Sequence, residues 1–308
     1  DNRRSRGLGD VYKRQVYVSG CRGSSPTNTH KVCVNLAGGY RNGMEFILTG
    51  LDIEEKAQII SDALFNSVGG KEQFDEVSIL LDRTDKKDPN SNEEAMASLR
   101  ISVKSKDADL VGRMFTAKMV ELALANYPGL YMGGAVRSGG PVLVYWPTLI
   151  DSKHIKETVH IDGKEINVMP TNQLDLEETY YQKQPVEIPP PPSGETLNKA
   201  LGELFGARSG DKGGCANIGV WAKSENAFSF LNNYLTIEKL KELMPDISEF
   251  EIDRYELPNI LSLNFYIHDI LEDGVSSNNR KDGQAKSLGE YLRAKYADIP
   301  ESLFEENI

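Results

Sequence analysis

Long hydrophobic runs are missing from this chain. Its longest apolar stretches, such as Ile79–Leu81 and Val142–Trp146, fall far short of the ~20 residues that a membrane-crossing helix needs. Cysteine is scarce. Cys21, Cys33 and Cys215 have neither zinc-like nor redox-like spacing, and an odd count without a framework argues against a disulfide-stapled secreted domain. Histidine is equally sparse. His30, His154, His160 and His268 are scattered, with no H-E-x-x-H pattern, so no metal site is assigned. Positive charge is in short supply too: 35 Lys and Arg stand against 46 Asp and Glu, a net −11. That balance excludes nucleic acid and anionic membrane surfaces as general partners, though local basic pockets remain open.

What is present is ordinary globular material. The chain has 308 residues, 39% hydrophobic and 26% charged, enough for two domains. A cytoplasmic location is expected. Residues 1–15, DNRRSRGLGDVYKRQ, carry five Lys or Arg against two Asp, a net +3 that leaves −14 on the rest. With no apolar core, the stretch is not a signal peptide. It resembles a translated sequencing-adaptor leader, and the first domain is expected to start at residue 16.

Alternation and spacing then predict an order of elements. A short strand is expected at Val16–Ser19, a turn-rich stretch at Gly20–Thr29, and strands at Lys31–Leu36 and Met44–Thr49. Gly38-Gly39 and Asn42-Gly43 read as the punctuation between the two later strands. Asp52 reads as the N-cap of a helix carrying Ile53, Ala57, Ile60, Ala63 and Leu64. Strands at Val77–Leu81 and Ala97–Val103 follow, then a helix from Asp107 or Asp109 to about Asn126, a glycine-rich loop, and a strand at Val142–Ile150. The order βαββαβ is that of the split-βαβ or ferredoxin-like sandwich. Val159–Val168 reads as a hairpin turning at Asp162-Gly163.

A proline-rich linker is expected at 178–195, where Pro189–Pro192 favour an extended rod. It divides a first domain, 16–177, from a second, 196–308. In the second, Asn198–Phe205 and Ala216–Ala222 read as strands around a glycine-rich loop. Glu225–Tyr234 and Ile237–Met244 read as helices, the latter capped by Thr236. Ile247–Tyr255 and Leu261–His268 read as strands, and Ala285–Tyr296 as a helix. The fold class is α/β (α+β), two small sandwich units.

The strongest chemical signal is Ala207–Gly219, ARSGDKGGCANIG. Its four glycines expose backbone N–H groups, and Arg208 and Lys212 add positive charge. With Ser209, Gly210, Gly213, Gly214 and Asn217 they form a candidate cradle for a carboxylate or phosphate. The plainer reading is a hairpin loop whose Arg–Asp pair fixes the turn. The motif is neither a Walker A loop nor a dinucleotide fingerprint. His268 is a candidate general base near Asp211 or Ser276, or else a strand-end histidine satisfied by the backbone. Ser276 and Arg280 follow Gly274 in a loop that meets the glycine-rich one if the strands are neighbours. Cys215 beside Lys212 is a weaker candidate thiol. The carboxylates Asp246, Glu249, Glu251 and Asp253 most simply mark the exposed face of a strand.

RSGDKGGCANIG resembles the signature loop opening the C-terminal ferredoxin-like domain of the AtuA-like proteins of bacterial acyclic terpene utilisation. Glu256-Leu257-Pro258-Asn259, Leu263-Asn264-Phe265 with His268, and Gly274-Val275-Ser276 with Arg280, Asp282 and Gln284–Gly289 are similar to later parts of that domain. Where the family pattern carries Asp after the paired glycines, this chain has Cys215. Gly38-Gly39-Tyr40, the helix after Asp52 and Ser138–Ile150 resemble the last part of the family's larger N-terminal region. The resemblance implies that this region begins well upstream of residue 1. It also implies a role in breaking down acyclic terpenes or related branched acids through acyl-CoA intermediates.

Two functions stay open. In one, Arg208, Ser209, Gly210, Lys212, Gly213, Gly214, Asn217, Ser276 and Arg280 bind an acyl-CoA or carboxylate ligand, and Asp211 and His268 move protons. In the other, the C-terminal domain is a non-catalytic assembly module. A homo-oligomer is expected in either case, and no cofactor is specified by the sequence.

Overall fold

The computed structural model describes residues 27–125, 127–168 and 186–305. The strand expected at Val16–Ser19, most of the turn-rich stretch after it, the leader, and the first part of the linker lie outside these residues. The chain divides into two compact units: Asn35–Val144, and Tyr145–Ile308 together with Asp1–Val34.

The Asn35–Val144 unit is a sheet with helices on one face. Its elements are β1 (Thr29–Thr49), α1 (Ile53–Ser67), β2 (Glu76–Asp82), β3 (Met96–Ser105), α2 (Phe115–Leu124), β4 (Tyr131–Met132) and β5 (Gly140–Asp151). The strand order is β2-β3-β1-β4, with β5 also pairing with β1. β1–β3 and β2–β3 are antiparallel, so β1 and β2 run parallel with β3 between them. This is the expected split-βαβ order. β3 alternates strictly, with Ala97, Leu99, Ile101 and Val103 buried. They meet Phe46 and Leu48 of β1, Ile60 and Leu64 of α1, and Phe115 and Met119 of α2. Phe74 packs edge-on against both Phe65 and Phe115.

Two expectations fail here for identifiable reasons. The strands at Lys31–Leu36 and Met44–Thr49 are one strand, β1, of 21 residues. Its glycines mark close approach rather than a turn. A Cβ at Gly43 would lie 2.7 Å from the Ile101 carbonyl oxygen, and one at Gly38 would lie 2.9 Å from Val144. Asn42 is buried, and its amide donates to the carbonyls of Val111 (2.7 Å) and Arg137 (3.0 Å). Asp52 precedes α1 but does not cap it through its side chain; its backbone is left-handed, φ 58°. The second helix is preceded by an irregular turn at Leu110–Met114 in which Gly112 is non-helical. Asp107 Oδ1 accepts from the Asp109 amide at 2.9 Å.

The other unit opens with a hairpin, β6 (Glu157–Ile161) and β7 (Lys164–Val168). Asp162 (φ 48°) and Gly163 (φ 72°) form the expected two-residue turn. Further on, the linker prolines lie along the second domain: Ser229 Oγ donates to the Pro189 carbonyl and Ile188 packs on the domain's core.

That domain contains β8 (Thr196–Ala200), β9 (Gly206–Lys212), β10 (Cys215–Trp221), α3 (Glu225–Tyr234), α4 (Ile237–Leu243), β11 (Ile252–Leu257), β12 (Ser262–Ile267), α5 (Leu288–Arg293), β13 (Tyr296–Pro300) and α6 (Ser302–Glu305). The main sheet runs β11-β12-β10-β9, and β13 pairs with β8. Because β10–β12 and β12–β11 are antiparallel, β10 and β11 are parallel around β12, a split βαβ with α3 and α4 as the crossover. The fourth strand, β9, comes before this motif rather than after it. Ser224 caps α3 by accepting from the Ala227 amide, and Thr236 caps α4 by accepting from the Lys239 amide, each at 3.1 Å. Arg254 closes the end of α3, donating to the carbonyls of Asn232 (2.7 Å) and Leu235 (3.1 Å).

Four sequence assignments change. The strand expected at Ile247–Tyr255 begins only at Ile252, so Asp246 lies in the turn Pro245–Ile247 and Glu249 and Glu251 precede the strand whose exposed face they were expected to mark. The glycine-rich loop is the hairpin β9–β10, with only Gly213-Gly214 between the strands. The strand expected at Asn198–Phe205 ends at Ala200 and gives way to a turn at Leu201–Glu203. The helix expected over Ala285–Tyr296 is confined to Leu288–Arg293, because Ala285 is left-handed at φ 53°, and β13 takes over at Tyr296.

Candidate functional site

Strand alternation sorts the residues of β9 and β10 onto two faces. Directly opposed residues of an antiparallel pair share a face. The row Asp211–Ala216–Ile267–Ile252 and the row Ser209–Ile218–Phe265–Arg254 face the helices, since Ala216, Ile218, Phe265 and Ile267 are fully buried. The intervening rows are Arg208–Gly219–Asn264–Tyr255 and Gly210–Asn217–Tyr266–Asp253. They lie on the open face; their side chains are polar or tyrosine, and apart from the buried Gly210 every member is half-buried or exposed.

The residues expected to form one site therefore separate. Arg208, Lys212, Asn217 and His268 share the open face. Ser209 and Asp211 point to the helix side. Ser209 Oγ accepts from the Gly289 amide at 2.9 Å, and so caps the start of α5 from the strand beneath it. Gly289 lies against the Arg208 backbone, where a Cβ would come within 3.2 Å of three backbone atoms. Asp211 pairs with Lys286 at 3.3 Å, which reaches over the strand above Gly210. Lys212 Nζ donates to the Asp211 carbonyl at 3.0 Å. Arg208, Lys212 and Lys286 thus gather positive charge along β9 in an otherwise acidic chain.

Gly213 and Gly214 are committed to packing. Gly213 is left-handed at φ 69°, and a Cβ there would touch the Tyr145 ring at 3.1 Å. At Gly214 a Cβ would run into the Glu272 carbonyl, and the Gly214 carbonyl accepts from the Leu271 amide at 2.8 Å. Tyr145 also donates its amide to the Asp273 carbonyl at 3.2 Å, and its hydroxyl lies 3.4 Å from Cys33 Sγ. Ser276 is exposed in the loop that closes on this turn. Arg280 pairs with Asp246 at 3.2 Å.

On the open face, His268 takes neither Asp211 nor Ser276 as its partner. Its Nε2 lies 3.0 Å from Asp253 Oδ2, and the Tyr255 hydroxyl donates to that same oxygen at 3.4 Å. The hydrogen bond to Asp253 holds the His268 imidazole above its ordinary pKa, against a smaller opposing effect of burial. Tyr266 packs edge-on against His268, ring centroids 4.9 Å apart. A hydrogen bond with the Cys215 thiol, and then burial, push the Tyr266 phenol up to about 12. Asn217 Nδ2 donates to Asn264 Oδ1 at 2.8 Å. Asp253, Tyr255, Asn264 and Tyr266 are site members that the sequence reading left without a role. Their spacing by two residues along β11 and β12 was the available signal. Among the described residues, no group of three or more His, Cys, Asp or Glu is placed to hold a metal ion, and no helix is long and apolar enough to cross a membrane.

The fold is thus an α+β pair of sandwiches whose second member carries a polar open sheet face. Residues 7–161 match the family described as acyclic terpene utilisation family protein AtuA, and residues 199–297 match the AtuA ferredoxin-like domain. The chain belongs to the acyclic terpene utilisation family. Neither a curated protein nor a solved structure matches it.

Proposed function

We propose that the ferredoxin-like domain binds a carboxylate or acyl-CoA intermediate of acyclic terpene breakdown on the open face of its sheet, in the cytoplasm. The supporting observation is that Arg208, Lys212 and Asn217 stand on the same face as the hydrogen-bonded set His268–Asp253–Tyr255. Arg208 takes the anionic group, with Lys212 and Lys286 adding to the local field. Asn217 orients the ligand, and His268, steadied by Asp253, exchanges protons with it. Asp211 serves from the other face by positioning Lys286, and Ser209 and Gly210 shape β9 beneath the ligand. Gly213, Gly214, Ser276 and Arg280 hold the adjoining turn and loop.

The test is a thermal-shift titration of the whole chain with free CoA, short branched acyl-CoAs and the corresponding free acids, beside an Arg208→Ala variant. A ligand that binds only the native state raises its stability by mass action. A saturable shift that is lost in the variant supports the reading. Equal shifts in both proteins remove Arg208 from the site.

A second reading is a non-catalytic ferredoxin-like assembly module in a homo-oligomer; the observation that favours assembly lies outside that domain, on the hairpin β6–β7 of the preceding segment. There Val159, Ile161, Ile166 and Val168 share one face and are all exposed. A monomer by sedimentation at micromolar concentration would count against it.

A further inference from the structure

We infer that Gly219 is the floor of a ligand slot on the open face, and that it limits the slot to a flat, compact head group such as a carboxylate or a thioester carbonyl. The inference deepens the ligand-binding reading given above and rests on it.

Three glycines, Gly206, Gly210 and Gly219, have their missing side chains on this face. At Gly206 the space is already filled: the Trp221 ring lies across it, overlapping the position a Cβ would take. At Gly210 it is filled by Lys286, whose Nζ would lie 3.0 Å from a Cβ. Gly219 differs. Among the described residues, a Cβ there would meet nothing nearer than the Arg208 carbonyl oxygen at 3.8 Å and Asn264 Oδ1 at 4.0 Å, both ordinary contacts. Packing therefore does not demand glycine at this position, and no positive φ does either. Yet Gly219 sits in the middle of β10, a central strand of the sheet. Glycine weakens such a strand, and its presence there commonly marks close approach by a ligand.

The surroundings give the space its shape. Arg208 and Asn264 flank Gly219 on the neighbouring strands, about 10 Å apart across the sheet before their side chains are counted. Trp221 and Asn217 stand two residues away on either side along β10, about 13 Å from each other. The Trp221 ring is turned away toward Gly206, and the Asn217–Asn264 amide pair closes the opposite corner. The result is a shallow space with a bare backbone floor, Arg208 on the strand to one side and the Asn217–Asn264 amide pair toward the other. A planar group carrying negative charge fits it edge-on to Arg208. A side chain on residue 219 would occupy the place of that group.

The test measures binding of short branched acyl-CoAs and their free acids by calorimetry to the whole chain, using wild type, Gly219→Ala, Gly219→Val and Arg208→Ala. Thermal melts of the unliganded proteins run alongside. The expected result is that both Gly219 variants melt at or above the wild-type temperature while affinity falls by about tenfold or more, with Val worse than Ala. Wild-type affinity in a stably folded Gly219→Val, with binding still lost in Arg208→Ala, overturns the slot and leaves the ligand reading standing. Binding lost in Gly219→Val but kept in Arg208→Ala supports the slot and removes the arginine. No saturable binding of any probe to wild type overturns both.

Discussion

Replacing Gly214 by alanine adds one methyl group at the turn of the β9–β10 hairpin, directly against the carbonyl oxygen of Glu272. The perturbation is purely steric, because Gly214, unlike its neighbour Gly213, does not have a positive φ. The obstacle is backbone, so no side-chain rotation relieves it. Either the turn or the segment after Asp269 must shift. The segment is poorly placed to yield: Asp269 and Glu272 are already left-handed, at φ 54° and 53°, and Leu271 between them is fully buried. A shift also stretches the 2.8 Å bond from the Leu271 amide to the Gly214 carbonyl. Overpacking costs about 1–3 kcal/mol and the weakened hydrogen bond about 1 kcal/mol. The stiffer unfolded chain returns about 0.4–1 kcal/mol. The expected net loss is about 1–3.5 kcal/mol. Urea unfolding followed by circular dichroism reads it as a lower midpoint with an unchanged slope. A midpoint equal to or above wild type, with the same slope, would refute the assignment of Gly213-Gly214 to packing and return the turn to the pool of ligand-binding candidates.

The His268–Asp253 pair gives a pH prediction. Because Asp253 raises the folded-state pKa of His268, the pair stabilises the fold fully below the unfolded value of about 6.5 and loses that contribution as pH rises through the raised value. Asp253→Asn should lower the His268 pKa in an NMR titration and flatten the pH dependence of stability between the two values; an unchanged titration sinks the pairing. Ser209→Ala should cost about 1 kcal/mol, since the start of α5 loses its acceptor, and should speed hydrogen exchange at the Gly289 amide; exchange at the wild-type rate would count against the cap. Phe115→Ala removes a fully buried ring touching Phe74 and should cost about 3–5 kcal/mol in chemical unfolding; a loss under 1 kcal/mol would mean that the two-helix core closes over the cavity.

The first unit was legible because its signals are local. The alternation of β3 and the helical spacing of α1 need no partner to be seen. The fused strand β1 was hidden because Gly38, Gly39 and Gly43 look like turn residues until β3 and β5 are in place beside them. Asn42 misled in the same way, since its amide is spent on the distant carbonyls of Val111 and Arg137. In the second domain the glycine-rich segment stood out, but its reading as a loop put Arg208 and Asp211 together. Once the segment is a strand, a separation of three residues puts them on opposite faces. The partnership of His268 with Asp253 was out of reach for a different reason. It depends on the β11–β12 register, which neither strand carries alone. β13 was missed because Ala297 and Ile299, whose alternation marks it, follow directly on the last turn of α5.

The pairing of β8 with β13 sets Thr196 opposite Pro300, so the first and last strands of the ferredoxin-like domain lie side by side, and α6 beyond them returns Leu303 to the same core. Everything between these two strands is a closed excursion, begun and ended at one edge. Such a module can be gained, lost or transplanted in evolution with only its doorway to rejoin. A permutant that joins the end of α6 to residue 196 by a short linker, so that Leu303 stays in the core, and opens a new start in the turn at Pro258–Ile260 should keep the fold.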